Sequence, residues 1–365
     1  MLRPSVASVV GDAGGAEALA PVLVALARRG MLGPVMSAPA GMAALERAGV
    51  AFDRLEANEA ESFVDSAGPS MLLSTTSWGD HPVELPFIAA ARTRGIPSLA
   101  VIDFWSNYRR RFESAGELTL PDLIAVPDDS ARLEAAEEGL PADRLVALGN
   151  PCYESLIHRY GDFDRQARAA FRARVGVGRQ ATLVLFASQP LNALYGDDLG
   201  YDERGVLAAV HQGLEQVAEW LGHPVELAVR AHPREDRLTL PQPGTRVRLR
   251  SAAGDDALEW ALAADLVVGM TSAVLLQAAM LGARVVSVQP NLRGPDRLPS
   301  NRLGLTDGVY ESELIPAGLY RALARSAHTQ SARVLHRLRV AASGATARFG
   351  ELIDQLARDG AGVAT

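Results

Sequence analysis

Two loops in the second half of the sequence carry groups that bind phosphate. In LVVGMTSAVLLQAAM, an apolar run ends at Gly269, and Thr271 and Ser272 follow directly before a helical pattern. In VELAVRAHPRED, His232 follows another apolar run, with Arg230 two residues before it. Hydroxyl, imidazole and guanidinium groups donate hydrogen bonds to phosphate, and the first N–H groups of a helix favour an anion. The two loops therefore predict a phosphate-binding site.

A third loop, FASQPLN, follows the apolar run ATLVLFA. If the three apolar runs are parallel strands, their loops leave the same edge of one sheet, where such sheets bind ligands. Each loop also has a structural interpretation, because Thr or Ser commonly caps a helix and a histidine often packs within a fold. The joint occurrence of the loops favours a nucleotide, and the residues assigned to it are Ser188, Gln189, Arg230, His232, Thr271 and Ser272.

Carboxylates lie at the ends of apolar runs in the first half. Asp12 follows VASVV, Glu84 lies in the loop after SMLL, and Asp103 ends SLAVI. A carboxylate placed there can remove a proton from a hydroxyl, so Asp12, ahead of Glu84 and Asp103, is the candidate general base. Gly14 and Gly15 follow Asp12 and leave the backbone open to a ligand. The structural alternative is a helix cap at Asp12 followed by glycines.

Side chains that suit an acceptor occur in the same loops. His81 precedes Glu84 by three residues, and VIDFWSNYRRRF places Trp105, Tyr108 and Arg109 after Asp103. Aromatic rings and guanidinium groups bind sugars and anions. An amphipathic loop that packs against another domain is the alternative. The predicted acceptor residues are Gly14, Gly15, His81, Trp105, Tyr108 and Arg109.

Composition excludes several classes of protein. A net charge of −7 argues against a general nucleic-acid binder. The sequence contains no lysine, which excludes Schiff-base chemistry and a P-loop lysine. Cys152 is the only cysteine, so an intramolecular disulfide and a cysteine-rich zinc site are excluded, and a reducing cytoplasm fits. No apolar run reaches about 18 residues, so no transmembrane helix is expected; peripheral membrane contact and a homodimer stay open.

The elements that position these residues alternate between strand and helix patterns. A chain of 365 residues is longer than the length that usually folds around a single hydrophobic core. The pattern breaks near Pro151 and then resumes, which predicts two doubly wound, Rossmann-like domains with parallel sheets facing a central cleft. The predicted bounds are 1–155 for an acceptor domain and 156–340 for a nucleotide-donor domain. A C-terminal helix in 341–365 is a candidate to cross back onto the first domain.

These segments resemble nucleotide-sugar glycosyltransferases of the GT-B fold. The link before their donor domain is similar to VALGNP. The His-Pro motif of bacterial sialyl-, polysialyl- and Kdo-type transferases is similar to AHP, and their later serine motif is similar to ADLVVGMTSAVLLQAAMLGARVV. The resemblance implies that His232, Thr271 and Ser272 contact the nucleotide phosphate. It also places Gln277 where many such enzymes carry a glutamate for the ribose hydroxyls.

The resemblance implies a metal-independent glycosyltransferase, hexosyl- or nonulosonyl/Kdo-type, with a nucleotide sugar as co-substrate and no resident cofactor. The chain is also distantly similar to UDP-N-acetylglucosamine 2-epimerases, whose helix after the serine carries paired glutamates where this chain has TSAVLLQAA. An epimerase or nucleotide-sugar hydrolase, a glycerophosphate-type transferase and a non-catalytic nucleotide-sugar-binding protein stay as alternatives.

Overall fold

The computed structural model describes residues 4–56, 58–77, 79, 81–232, 235, 239–324 and 329–361. They form two compact units. Unit 1 comprises residues 1–155 and 338–365, and unit 2 comprises residues 156–337. Each unit has its own parallel sheet with flanking helices, as predicted for a doubly wound α/β fold.

Unit 1 is built on a seven-stranded parallel sheet of order β3-β2-β1-β4-β5-β8-β9. β1 is buried along its whole length, because helices cover both faces of such a sheet. The strand order reverses between β1 and β4, and ligands bind at such switch points. The elements are β1 (Val6–Val10), α1 (Ala13–Arg28), β2 (Leu32–Ser37), α2 (Pro39–Ala48), β3 (Asp53–Arg54), α3 (Ala60–Ala67), β4 (Met71–Ser74), α4 (Leu85–Thr93), β5 (Ser98–Val101), the hairpin strands β6 (Glu113–Ser114) and β7 (Glu117–Leu118), β8 (Leu123–Val126), α5 (Asp129–Glu137), β9 (Leu145–Ala147) and the first half of α6 (Pro151–Tyr160), whose second half is counted in unit 2.

Unit 2 repeats this winding in a six-stranded parallel sheet of order β12-β11-β10-β13-β14-β15. Its order reverses between β10 and β13. The elements are α7 (Arg165–Arg174), β10 (Thr182–Ala187), α8 (Leu191–Tyr195), α9 (Glu203–Leu221), β11 (Val225–Arg230), β12 (Val247–Ser251), α10 (Ala257–Ala263), β13 (Leu266–Gly269), α11 (Ala273–Met280), β14 (Val285–Val288), α12 (Pro299–Arg302), β15 (Asp307–Val309), α13 (Ile315–Ala324) and the larger part of α14 (Thr329–Ala342), whose last residues are counted in unit 1.

The last helix, α15 (Ala345–Ala361), belongs to unit 1. Phe349, Ile353 and Ala357 recur every four residues, which places them on one helical face. All three are fully buried in the same core as Leu19 and Leu23 of α1. Among the helices that the structure describes, none is both long and apolar enough to cross a membrane.

Candidate functional site

The carboxyl edge of the unit 1 sheet begins at Asp12, directly after β1. Asp12 has extended backbone angles and caps α1, and its carboxylate accepts the Gly15 N–H at 2.6 Å. Thr75 follows β4, the neighbouring strand, and its N–H donates to the Val9 carbonyl at 2.9 Å. Gly15 has no room for a side chain, since an added Cβ would lie 2.6 Å from Thr75 Cβ. The helix start is therefore held close against the neighbouring loop at the switch point.

Glu84, immediately before α4, is buried at this edge with 1% of its surface exposed. Thr75 donates its hydroxyl to Glu84 Oε1 at 2.8 Å, and Ser77 donates to Oε2 at 2.5 Å. The Gly11 N–H in turn donates to Thr75 Oγ1 at 2.8 Å, and a side chain on Gly11 would collide with the Glu84 carboxylate. Glu84 thus lies against the backbone that leads into Asp12.

Asp103, after β5, completes the group of acids. Arg111 Nη1 donates to Asp103 Oδ1 at 2.8 Å, and Asn150 Nδ2 donates to the Asp103 carbonyl at 2.9 Å. A Cβ on Gly14 would collide with Asp103 Oδ2, so the second oxygen faces the start of α1. The absence of side chains at Gly11 and Gly14 makes room for the protein's own carboxylates. The structure thus brings together the three candidate bases that the sequence indicates.

Arg111 is the cation of this cluster, and the sequence does not single it out from its two arginine neighbours. It lies in the 3₁₀ helix Arg109–Phe112 and is only 3% exposed. Besides Asp103, it donates to the Thr76 carbonyl at 2.7 Å and to the Ser106 carbonyl at 3.2 Å. These bonds satisfy a buried guanidinium and tie the loops after β4 and β5 together.

The electrostatics of the cluster act on Asp12. Burial raises the pKa of Asp12 to about 7, and the neighbouring charge of Asp103 adds to the increase. The Arg111 charge and the Gly15 N–H act in the opposite direction, and Glu84 adds a smaller upward contribution. A carboxyl group with a pKa near neutrality can both take and return a proton at that pH.

The predicted acceptor aromatics lie elsewhere, and this corrects the sequence-based interpretation. Trp105 and Tyr108 are 2% and 1% exposed. Trp105 Nε1 donates to Asp128 Oδ2 at 3.0 Å while its ring stacks on Tyr153, and the Tyr108 hydroxyl donates to Glu134 Oε2 at 2.7 Å. Their rings pack inside unit 1 because their polar atoms find buried partners there, so neither ring is available to an acceptor.

The other two polar acceptor candidates are at the surface. His81 is exposed, unlike the buried Glu84 three residues later. Arg109 is partly exposed; its N–H donates to Glu138 Oε2 at 3.1 Å and its Nε to Glu113 Oε2 at 3.1 Å. Both positions stay predictions for acceptor binding.

In unit 2, the three predicted nucleotide loops leave adjacent strands at the same level. Ala187, the last residue of β10, pairs with Arg230 at the end of β11 and with Gly269 at the end of β13. The loops that carry Ser188, His232 and Thr271 therefore start side by side at the carboxyl edge, on both sides of the switch point.

Side-chain oxygen atoms of the protein accept hydrogen bonds from the hydroxyl and N–H groups of these loops. Glu235 accepts the Ser188 hydroxyl at 2.8 Å and the His232 N–H at 2.5 Å. The Gln189 side-chain oxygen accepts the Thr271 N–H at 2.8 Å and the Thr271 hydroxyl at 3.3 Å. Glu235 is a residue that sequence reasoning missed. The donors converge on two acceptor positions, one carboxylate and one amide oxygen.

The remaining donor-site candidates have structural partners. Ser272 caps α11 by accepting the Val274 N–H at 3.2 Å, as the capping interpretation holds. Arg230 Nη1 donates to the carbonyls of Ala252 and Asp255, which anchors the loop after β12. Gln277 is partly buried in α11. Pro233 of the His-Pro motif and Arg234 lie outside the described residues.

Comparison with known proteins identifies the fold. No protein-family model and no curated protein sequence matches the chain. Solved structures do match. The UDP-GlcNAc 2-epimerase from Neisseria meningitidis, bound to UDP-GlcNAc, has a TM-score of 0.64 at 14% identity over 96% of this chain and 100% of its own. The epimerase from Rickettsia bellii has a TM-score of 0.64 at 14% identity over 98% of both chains.

A transferase is similar to the same degree. The glycotransferase of kitacinnamycin has a TM-score of 0.63 at 17% identity and covers 98% of this chain and 100% of its own. At such identities the likeness concerns the fold alone. The chain has the two-domain fold that glycosyltransferases and UDP-GlcNAc 2-epimerases share, so the predicted fold class is confirmed. The narrower likeness to sialyl- and Kdo-type transferases stays a prediction.

Proposed function

We propose that this chain is a glycosyltransferase that moves a sugar from a nucleotide-sugar donor to an acceptor hydroxyl without a metal. The observation that carries the proposal is the acidic cluster of Asp12, Glu84 and Asp103 at the switch point of unit 1, where the pKa of Asp12 is raised to about 7. A general base works best when its pKa lies near the operating pH.

In this reaction the Asp12 carboxylate takes the proton of the acceptor hydroxyl. The acceptor oxygen then forms a bond to the anomeric carbon of the donor sugar, and the bond from that carbon to the phosphate oxygen breaks. The leaving phosphate keeps the electron pair. Arg111 holds Asp103 in place and balances part of the negative charge around the base.

Unit 2 binds the nucleotide in this proposal. The Thr271 N–H and hydroxyl, the Ser188 hydroxyl and the His232 N–H all donate to protein oxygens at present. A phosphate oxygen has the same acceptor character as the Glu235 carboxylate and the Gln189 amide oxygen. If phosphate oxygens replaced these two protein acceptors, the phosphate would receive the same hydrogen bonds without a change in the backbone. The dipole at the start of α11 would also favour the phosphate charge.

An epimerase or hydrolase of nucleotide sugars is the second candidate. One observation favours it: three carboxyl groups meet in unit 1, whereas deprotonation of a hydroxyl needs only one. Inversion at a carbon requires removal of a proton and its return from the other face, which suits two acids in different environments. The structural similarity to the epimerases is as strong as that to the transferase.

A single assay separates the two functions. The protein is incubated with each of UDP-, CMP-, GDP- and dTDP-sugars, alone and with a mixture of sugar and glycolipid acceptors, and products are followed by mass spectrometry and NMR. The transferase proposal expects donor consumption only when an acceptor is present. Consumption or epimerisation of the donor alone would overturn it in favour of the second candidate.

A further inference from the structure

The peptide group that joins Met270 to Thr271 is held by side chains on both sides. Its N–H donates to Gln189 Oε1 at 2.8 Å, and its carbonyl oxygen accepts the Ser287 hydroxyl at 2.6 Å. The N–H and the carbonyl of a planar trans peptide point in opposite directions. Gln189 follows β10 and Ser287 lies in β14, and these two strands flank β13 in the sheet. The orientation of this peptide is therefore fixed from both neighbouring strands.

Ser287 is the partner of this peptide that does not have to move when a nucleotide binds. In the proposed function a phosphate oxygen replaces Gln189 Oε1, so that the amide must give up the Thr271 N–H. Ser287 bonds the other end of the same peptide, at a position that is fully buried beside Gly269 of β13. Its hydrogen bond to the Met270 carbonyl can therefore keep the N–H directed at the phosphate after Gln189 has left.

Gln289 determines the direction in which the Ser287 hydroxyl donates. This fully buried amide donates from Nε2 to Asp296 Oδ1 and to Ser287 Oγ, each at 2.8 Å, and its Oε1 accepts the Tyr201 hydroxyl at 3.1 Å. A carboxylate only accepts hydrogen bonds, so Asp296 requires the amide nitrogen on its side. Because Ser287 Oγ accepts from that nitrogen, its single proton is directed to the Met270 carbonyl.

Asp296 is itself anchored in the loop after β14 and the elements that follow it. Besides Gln289, its carboxylate accepts the Leu298 N–H at 2.8 Å, Asn301 Nδ2 at 2.7 Å and the Tyr310 hydroxyl at 2.7 Å. A buried polar network in which every member has a partner favours a single arrangement of its groups. The hydrogen bonds thus form a continuous chain from this loop to the Thr271 peptide.

We propose that Ser287 is a positioning residue of the nucleotide site. It fixes the Met270–Thr271 peptide so that the N–H points to the phosphate, and Gln289 and Asp296 fix Ser287 in turn. Ser287 acts through the peptide and makes no contact with the ligand. The inference rests on the proposed binding of a nucleotide by unit 2.

NMR of the full chain, labelled with ¹⁵N-threonine and free of ligand, tests the role of Ser287 in the peptide. In Ser287→Ala the Thr271 amide resonance should shift and its hydrogen exchange should accelerate about tenfold, as for a lost hydrogen bond. The amide of Thr182, at the start of β10, should not change. Gln289→Leu keeps the Ser287 hydroxyl but removes its amide donor, and should have a smaller effect of the same kind.

Ser8→Ala is the matched control. It also removes a fully buried strand hydroxyl, but one that makes no hydrogen bond within the described residues. Calorimetry with UDP, CMP, GDP and dTDP then compares the variants. Ser287→Ala should bind the responding nucleotide about tenfold more weakly than the unaltered protein, whereas Ser8→Ala should bind it normally.

Two results would overturn the role of Ser287 alone. One is a Thr271 amide whose resonance and exchange rate are the same in Ser287→Ala as in the unaltered protein. The other is a nucleotide affinity of Ser287→Ala equal to that of Ser8→Ala. If none of the four nucleotides binds the unaltered protein, the proposed nucleotide site fails, and the inference that rests on it fails as well.

Discussion

The carboxyl edges of the two sheets carry different types of residue, although both sheets are doubly wound. In unit 1 the switch point carries three carboxylates and a buried guanidinium, and the pKa of Asp12 is raised to about 7. In unit 2 the equivalent position carries hydroxyls and backbone N–H groups, which donate to the Glu235 carboxylate and the Gln189 amide oxygen. In the proposed function the first edge moves a proton and the second holds the phosphate.

This difference indicates that two sheets with similar topology contribute different chemical groups to the proposed function. The winding places loops at the carboxyl end in both units, and the residue types in those loops decide what each can do. Burial and the neighbouring Asp103 charge raise the pKa of Asp12 in unit 1, while the unit 2 loops offer hydroxyl and N–H donors beside a helix start, the kind of groups that bind phosphate. Variants that affect one property without the other would sharpen the comparison.

The largest expected effect follows from Asp12→Asn. The amide cannot accept a proton, so turnover should fall about 10²–10⁴-fold while nucleotide affinity stays unchanged. Steady-state kinetics and calorimetry measure the two quantities. Asp202→Asn is a matched control, because Asp202 caps α9 by accepting the Gly205 N–H at 2.6 Å, as Asp12 does with Gly15. Equal turnover of the two variants would move the base to Glu84 or Asp103.

The next effect concerns stability. Arg111→Met removes the buried partner of the partly buried Asp103 carboxylate, which should lower the free energy of unfolding by about 3–5 kcal/mol. Because the Arg111 charge lowers the pKa of Asp12, the variant should also raise that pKa further. Denaturant unfolding measures the first effect. Arg110→Met, the exposed neighbour, is the control, and a loss of similar size in both variants would contradict the assigned role of Arg111.

A smaller effect is expected in unit 2. His232→Ala keeps the backbone N–H that donates to Glu235 and removes the imidazole that the sequence assigns to the phosphate. The variant should weaken nucleotide binding by about 1.5–3 kcal/mol, as for a lost hydrogen bond to a charged group. Calorimetry with the responding nucleotide measures it. The stability of unit 1 and the pKa of Asp12 should not change. An unaltered nucleotide affinity would remove His232 from the proposed phosphate site.

A last effect, spread over about three pH units, is a pH dependence of stability. The folded pKa of Asp12, about 7, lies above its ordinary unfolded value of about 3.9. The folded state therefore holds this proton more tightly, and the resulting stability is complete below about pH 4 and lost as pH rises through about 7. One group contributes at most about 1.4 kcal/mol per pH unit. Unfolding of the protein and of Asp12→Asn at several pH values measures it; identical slopes would disprove the raised pKa.

Much of the fold follows from the sequence, since buried parallel strands appear as continuous apolar runs between helical patterns. The short edge strands do not. β3 has two exposed residues, Asp53 and Arg54, and β15 (Asp307–Val309) contains a glycine and no apolar run. Their pairing is set by the neighbouring strands β2 and β14, which local sequence does not reveal.

The candidate site was predictable where a residue's role depends on its place at a strand end. Asp12 and Asp103 are of this kind, whereas Glu84 lies at the start of α4, ten residues after β4 ends. Arg111 is not, because three consecutive arginines have the same composition and only the turn of the 3₁₀ helix directs one inward. The buried aromatic rings of the same loop were wrongly predicted to face an acceptor, since their partners come from α5 and its cap, later in the chain.

The dependence of turnover on pH, measured with saturating nucleotide sugar and acceptor, tests the central claim most directly. The account predicts a rate that rises up to tenfold per pH unit below about 7 and levels above it, because only ionised Asp12 accepts the acceptor proton. The residual rate of Asp12→Asn should lack this inflection. A profile without an inflection near 7, or one that Asp12→Asn retains, would contradict the assignment of proton transfer to unit 1.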